Sequence, residues 1–524
     1  LGDRLRQVGA LVDSDVGGTG GKPNEANSAL TQVSFWGICD VKYDARLPDP
    51  RDRVRVLELG DGRTSRFSHH GRAIKENFDR KYCMVADPIK RAVMTENKKL
   101  THDVFVKEGF SHLRPDTAAY PRRYHEGLAG EILADLGLDN GGAEAMVVLK
   151  LVNRSRGAGV IVTSAARLDG VLRSLLRPPL KPIEVHAWMA EHSGPRAMRP
   201  PSAQAAGGGF MEEQCRHWWC NECPVFLAER CCRSMPWPLQ PGSNEVFDGT
   251  MRVAFALYRK AGENQAGPFE IDWLGGYWKM PKDPVERLDA SRLASLQESI
   301  ISSFNSVDKR TAEVSAEHLQ EVFDALTPAL PLVFAAGHTS LQSVADAYKD
   351  DELFRAFTFC RVAAGNRLKD PGRGLQILEM AKQFVSVPAC SGDLDSLPEL
   401  CVLSYIDRTV GSTYAIKGDW EAAEEKWRSS LDYFPLNATT YWFQACSHLE
   451  RQEFDKAEVN LLKAISLDPD FKLPYLGLGN CRLLQRRFDQ ALEAALACLS
   501  RHPDTPVAQQ ISGQAIYHLL TRSP

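Results

Sequence analysis

The sequence predicts an α+β front domain followed by an all-α array of helical repeats. Three observations carry that prediction. Short β-branched runs alternate with amphipathic stretches through residue 330. Beyond residue 400 several residue classes hold one 34-residue register. The 524 residues are enough for roughly two to four domains of ordinary size. The expected organisation is a flexible lead-in over 1–30, an α+β domain over 31–330, a divergent helical segment over 331–403 and repeats over 404–524.

Composition sets outer limits. With 44% hydrophobic and 25% charged residues, the chain has the make-up of ordinary soluble protein. A net charge of −4 argues against nucleic acid as the main partner, because that role wants a strong basic surplus. No apolar run reaches the length of a bilayer span, so no membrane segment is expected. The 13 cysteines are odd in number and scattered. That pattern suits reduced thiols in a cytoplasmic compartment better than a disulfide framework.

The elements follow in order. Val16–Gly21 is glycine-rich without a preceding strand, which reads as lead-in rather than a nucleotide loop. Arg53–Leu59 alternates as a strand and runs into Gly60-Asp61-Gly62. Gly71–Phe78 can form a helix, and Tyr82–Ala86 is a second strand ending at Asp87-Pro88. Asn97 is placed to cap a helix whose Leu100, Val104 and Phe105 share a face and which Gly109 ends. Pro115 then forces an extended segment, and Arg122–Leu136 reads as an amphipathic helix.

The stretch MVVLKLVNRSRGAGVIV, Met146–Val162, joins two buried-strand runs through a basic glycine turn. On the residues alone it is either a β-hairpin with a solvated turn or a phosphate cradle, with Lys150 as the point charge. It is not a P-loop, since no GxxxxGK[ST] is present. Leu168–Leu176 is a short helix, and 193–209 is rich in Pro, Gly and Ala, reading as a loop. Val225–Glu229, Met251–Leu257 and Phe269–Leu274 are strand-like, the last two forming a hairpin. Leu293–Phe304 and Ala316–Ala325 read as helices.

At the far end Pro435, Pro469 and Pro503 are spaced by 34 residues, as are Ala423, Ala457 and Ala491, and Trp420, Phe454 and Phe488. Gly411, Ala445 and Gly479 hold a fourth slot. Small residues let paired helices approach and the aromatics fill the space between them. This resembles the tetratricopeptide repeat. Three repeats are expected at 404–437, 438–471 and 472–505, with Ile511–Leu520 as a capping helix and Leu353–Ala364 with Gly374–Phe384 as a divergent pair upstream. The resemblance implies a concave face that holds a protein or peptide partner.

Residues 50–290 resemble the ATP-grasp fold, in which two α+β lobes close on ATP. The resemblance rests on NKKLTHDVFVKEG with Pro115, VVLKLVNRSRGAGV, VFLAERCC and FDGTMRVAFAL in that order. It implies ATP and Mg2+ as cofactors, with Lys98, Lys150, Arg156, Gly157, Gly159 and Glu229 holding the nucleotide. Arg252, preceded by Asp248, and Lys279, returned to the cleft by a hairpin at Gly275-Gly276, would serve catalysis. The implied activity is a ligase that activates a carboxylate as an acyl phosphate for attack by an amine or thiol. The family's acidic metal-binding strand is not recognisable after Lys279. Glu270, Asp272 or Asn305 would have to supply the oxygen ligands that magnesium needs.

Two clusters remain. Cys215, His217, Cys220 and Cys223, with Cys231 and Cys232 behind them, are either a zinc site or reduced, partly buried thiols. The adjacent Trp218-Trp219 is an exposed anchor or core. Arg63, Arg66, His69, His70 and Arg72 face an anionic substrate or simply solvent. Three functions are therefore open: an ATP-dependent ligase with a partner-binding array, a non-catalytic scaffold, or a zinc-stabilised binding module.

Overall fold

The computed structural model describes residues 30–34, 97–139, 145–154, 158–180, 184–185, 208–232, 236–240, 242–260, 268–281, 284, 311–337, 341–388, 393–502 and 505–521. The expected strand–helix–strand unit at 53–86, the basic cluster from Arg63 to Arg72, the helix Leu293–Phe304, Arg156, Gly157, Asn305 and Pro503 lie outside these residues.

The front of the chain runs β1 (Leu30–Ser34), α1 (Lys98–Lys107), β2 (Thr117–Pro121), α2 (Leu128–Asp135), β3 (Met146–Leu151), β4 (Ile161–Ser164), α3 (Leu168–Leu176), α4 (Gly208–Trp219) and β5 (Val225–Arg230). Then come β6 (Trp237–Pro238), β7 (Val246–Phe247), β8 (Thr250–Lys260), β9 (Glu270–Lys279), β10 (Thr311–Ala312), α5 (Ala316–Leu326) and α6 (Leu330–Ala336). Two four-stranded sheets result, in the orders β2-β5-β3-β4 and β1-β8-β9-β10, with β6-β7 as a ribbon.

The first sheet is antiparallel throughout. Strand alternation sends Val147, Leu149 and Leu151 of β3, with Phe226 and Ala228 of β5, to one face. There they pack with Leu128, Ile132, Leu172 and Trp218 of α2, α3 and α4. The opposite face presents Val225 and Leu227, and Val152 just beyond β3. These share a core with Leu100 of α1 and with four helices from the C-terminal half. Burial on both faces explains why β3 is an apolar run broken only by Lys150.

In the second sheet Phe255, Leu257 and Phe269 pack with Val104 and Phe105 of α1 and with Leu330, Val333 and Phe334 of α6. The expected hairpin at Gly275-Gly276 is absent: β9 runs straight through it to Lys279. The glycines serve close approach instead. The ladder shifts register at Ala254/Phe255, Gly275 has φ 123°, and a Cβ on Gly276 would sit 2.7 Å from Leu319 of α5. By length and composition alone Ala316–Ala336 is apolar enough to cross a membrane. It forms two helices, α5 and α6, whose Leu330, Val333 and Phe334 are buried.

The C-terminal half is all helix: α7 (Leu341–Ala347), α8 (Glu352–Asn366), α9 (Pro371–Lys382), α10 (Leu397–Ile416), α11 (Trp420–Tyr433), α12 (Ala438–Glu450), α13 (Phe454–Leu467), α14 (Lys472–Leu484), α15 (Phe488–Arg501) and α16 (Pro506–Thr521). It is a tetratricopeptide-type array of antiparallel pairs, and its register is visible in the packing. Trp420, Phe454 and Phe488 open α11, α13 and α15, while Ala423, Ala457 and Ala491 are fully buried. Gly411 is needed because a Cβ there would lie 2.6 Å from the indole nitrogen of Trp427. Asp351, Asp370, Asp419 and Asn437 cap α8, α9, α11 and α12.

Candidate functional site

The candidate cluster begins at the N-terminus of α1. Asn97 caps the helix by accepting from Leu100 N–H at 3.1 Å, and Lys98 N–H donates to Val152 O at 3.1 Å. These two bonds fix the first turn against the end of β3. The Lys98 ammonium donates to the carbonyls of Leu151 (2.9 Å) and Arg154. Burial, reinforced by Lys150, lowers its pKa from 10.5 to about 8. Lys99, by contrast, pairs with Asp103 at 2.7 Å and lies over the rings of Tyr348 and Phe354.

Lys150 and Glu229 meet because β3 and β5 are paired. Lys150 stands opposite Leu227 and Val148 opposite Glu229, so the two side chains are diagonal neighbours on one face. They form an ion pair in which the Glu229 side chain is 4% exposed and Lys150 27%. His102 and Arg114 complete the surroundings, both acting electrostatically on the same carboxylate. Burial first, then Arg114, holds His102 below its usual range. Burial likewise lowers Arg114, against the opposing pull of Glu229. His102 Nδ1 and Arg114 Nε are buried with no hydrogen-bond partner. Two lysines and an arginine thus surround one carboxylate beside a histidine whose burial favours the neutral ring, an excess of positive charge that would suit an anion.

Gly159 is used otherwise than the resemblance implies. Its N–H donates to Gln214 Oε1 at 2.8 Å and its carbonyl accepts from the Trp218 indole at 2.9 Å. Its φ is 70°, and a Cβ would lie 2.4 Å from Leu151. Packing and α4 therefore consume this glycine's backbone. Arg252 and Lys279 sit on the second sheet, where Arg252 pairs with Tyr277 and Lys279 with Thr250. They are diagonal neighbours on one face of β8 and β9. Glu270 and Asp272 lie further along β9, and Asp248 precedes β8.

The cysteines of the 215–223 segment make separate contacts. Cys215 packs against the first sheet, Cys220 Sγ accepts from Arg154 at 3.3 Å, and Cys223 lies in the core shared with α8 and α10. Burial pushes the Cys223 thiol up to about 12, which keeps it protonated. Trp218 is fully buried, edge-on to Phe226 at 5.3 Å.

Two features escaped sequence reasoning. Helix α4 was hidden by its glycine-rich start. Arg122, also fully buried, donates to the carbonyls of Trp218, Asn221 and Cys223, closing the C-terminal end of α4.

The front unit is seated against the array through charges. Arg408 Nε lies 2.8 Å from Glu222, which also accepts from Asn437 at 2.8 Å. Arg154 reaches Asp468 at 2.9 Å, Arg501 reaches Glu213 at 2.9 Å, and Arg123 reaches Glu399 at 3.0 Å.

No family model matches the chain. It is 34% identical over 76 residues to the small glutamine-rich tetratricopeptide repeat-containing protein 2 of Saccharomyces cerevisiae, covering 14% of this chain and 22% of that protein. Among solved structures it is similar to the TPR2AB-domain:pHSP90-complex of yeast Sti1, at 16% identity over 37% of this chain and 90% of that one, with a TM-score of 0.21. The sequence match and the helix register agree that the C-terminal part of this chain is a tetratricopeptide-type array.

Proposed function

We propose that this protein is a partner-binding scaffold in which the tetratricopeptide array recruits another protein. The observation that carries the reading is the array itself: a stack of paired helices in a 34-residue register, similar in sequence to a protein named for these repeats. Such arrays present extended surfaces for binding. The front unit is built onto the array and would position whatever the array captures. The test is proximity. A photo-crosslinking side chain at exposed Val459, Leu484 or Leu496 of the full chain should give discrete protein adducts, whereas one at exposed Glu245 should not. Absence of adducts from all three array positions would overturn the reading.

A second reading is favoured by one observation, the excess of cationic groups around Glu229. It is that the cleft takes a polyphosphate, with ATP and Mg2+ as in the ATP-grasp resemblance. Lys98, Lys150 and Arg114 would hold phosphate oxygens, and Glu229 would release Lys150 on binding. Arg156 and Gly157 would add to the cradle; the backbone of Gly159 would not, since α4 holds it. The finer form of this reading, a ligase activating a carboxylate for an amine or thiol with Arg252 and Lys279 in catalysis, requires both sheets to face one ligand. Calorimetric titration with Mg-ATP decides it. Binding that Lys150→Ala weakens by ~10-fold or more, as loss of a charge-assisted contact predicts, supports the cleft. No heat, or heat unchanged in Lys150→Ala, dismisses it.

A further inference from the structure

Helix α4 meets the array where the turn after α13 turns back into α14. Glu213 and His217 are four residues apart on α4 and so share a face, while Asp470 comes from the opposing turn. One ligand atom from each lies within 4.8 Å of the others. His217 is 1% exposed, and neither of its ring nitrogens has a hydrogen-bond partner. Nε2 lies 3.2 Å from Asp470 Oδ2, an ion-pair contact, and Nδ1 lies 3.7 Å from Asp468 Oδ1, beyond hydrogen-bond reach. A buried imidazole without a hydrogen bond is destabilising, and its ring nitrogens are available to a ligand.

We propose that Glu213, His217 and Asp470 form a zinc site that clasps the front unit to the array. One imidazole and two carboxylates are a familiar donor set for Zn2+, with bonds near 2.0–2.2 Å. Tetrahedral geometry at those lengths puts neighbouring ligand atoms about 3.3 Å apart. The 3.2 Å between His217 Nε2 and Asp470 Oδ2 is that spacing. The Asp470 side chain is 39% exposed, which admits water as the fourth ligand. Arg501 donates to Glu213 Oε1 at 2.9 Å and Asp470 Oδ1 at 3.1 Å, engaging one oxygen of each carboxylate. It acts as the outer-shell group that orients them. The guanidinium works against the ion's charge; Asp468, on the other side of the ring and shared with Arg154, offsets it. The rival arrangement is an imidazolium ion-paired with Asp468 and Asp470 and no metal at all. The site is separate from the thiols of the same segment, since Cys220 is engaged by Arg154 and Cys223 lies in a different core.

Zinc titration of chelator-treated full chain, read by calorimetry and by the thermal midpoint, decides between them. One equivalent should bind and raise the midpoint. His217→Ala should abolish binding, and Asp470→Asn, a milder change at a part-exposed position, should weaken it by at least ~10-fold. The double variant Cys215→Ser/Cys220→Ser should bind as the wild type does. No uptake by the wild type, uptake that survives His217→Ala, or uptake lost in the cysteine variant would overturn the proposal.

Discussion

Lys98 shows how much one backbone arrangement can do to a side chain. Its amine is surrounded by the carbonyls that end β3, with Lys150 nearby, and its pKa falls from 10.5 to about 8. The folded value lies below the unfolded one, so between about 8 and 10.5 the unfolded chain binds the extra proton. The cost of holding the charged amine is fully present below the folded value. It is relieved as pH rises through that window, by up to roughly 3 kcal/mol. Chemical denaturation from pH 7 to pH 10 should therefore show wild type gaining stability relative to Lys98→Met; parallel curves would refute the shift. Gly411 makes a steric counterpart. A Cβ there meets Trp427 at 2.6 Å and the Ala423 carbonyl at 2.9 Å, so the helix-propensity gain of Gly411→Ala is outweighed. A loss of about 1–3 kcal/mol is expected, the usual cost of overpacking, measurable as a lowered denaturation midpoint. Gly411 was legible because its 34-residue register exposed it, and Lys98, Lys150 and Glu229 because they sit in patterned segments. Arg114, His102 and Arg122 were not. An arginine in a loop reads as solvated until the chain segments that bury it are known.

Elements were legible where period and punctuation agreed. Asn97 to Gly109 bounds α1 by a cap and a left-handed glycine, and Leu168–Leu176 is a helix with both ends as read. The helix expected over Arg122–Leu136 begins only at Leu128, after Gly127 at φ 101°, and two further elements failed for physical reasons. Gly275-Gly276 has turn chemistry, yet a bulge and the close approach of Leu319 absorb it within β9. In α4, Cys215 and His217 have the spacing of metal ligands, yet they lie on a helix whose glycine-rich start conceals it. That helix has a definite job: Gln214 and Trp218 clamp both polar groups of Gly159. Trp218→Phe keeps most of the buried ring and leaves the Gly159 carbonyl without its donor. A cost of roughly 1–3 kcal/mol follows. Faster hydrogen exchange at Gly159 than in wild type is the local signature, and unchanged exchange there would show the clamp to be idle.

At the scale of the molecule, the sheet face formed by Val225 and Leu227 meets Leu100 of α1 from its own half, among the described residues, and shares the rest of its core with the array. Helices α8 and α10 of the array cover it, so the front unit and the array complete each other's cores. The same seam is stitched by Glu222, which takes Arg408 at 2.8 Å and Asn437 at 2.8 Å. The Arg408 and Glu222 side chains are 9% and 14% exposed. Charges this deep are stable only as a pair, because removing one partner strands the other in a low-dielectric setting. Glu222→Ala should therefore cost about 3–5 kcal/mol, far more than loss of an exposed ion pair. The double change Glu222→Ala/Arg408→Met should recover much of it by removing the stranded guanidinium. A shared core also implies a shared transition: calorimetry of the full chain should show the sheet and the array melting together, with the single variant lowering one common midpoint. If Glu222→Ala instead split the endotherm, leaving the array's transition where it was, the two halves would be neighbours rather than one cooperative unit. A partner bound to the array would then have no route by which to steady the cluster around Glu229.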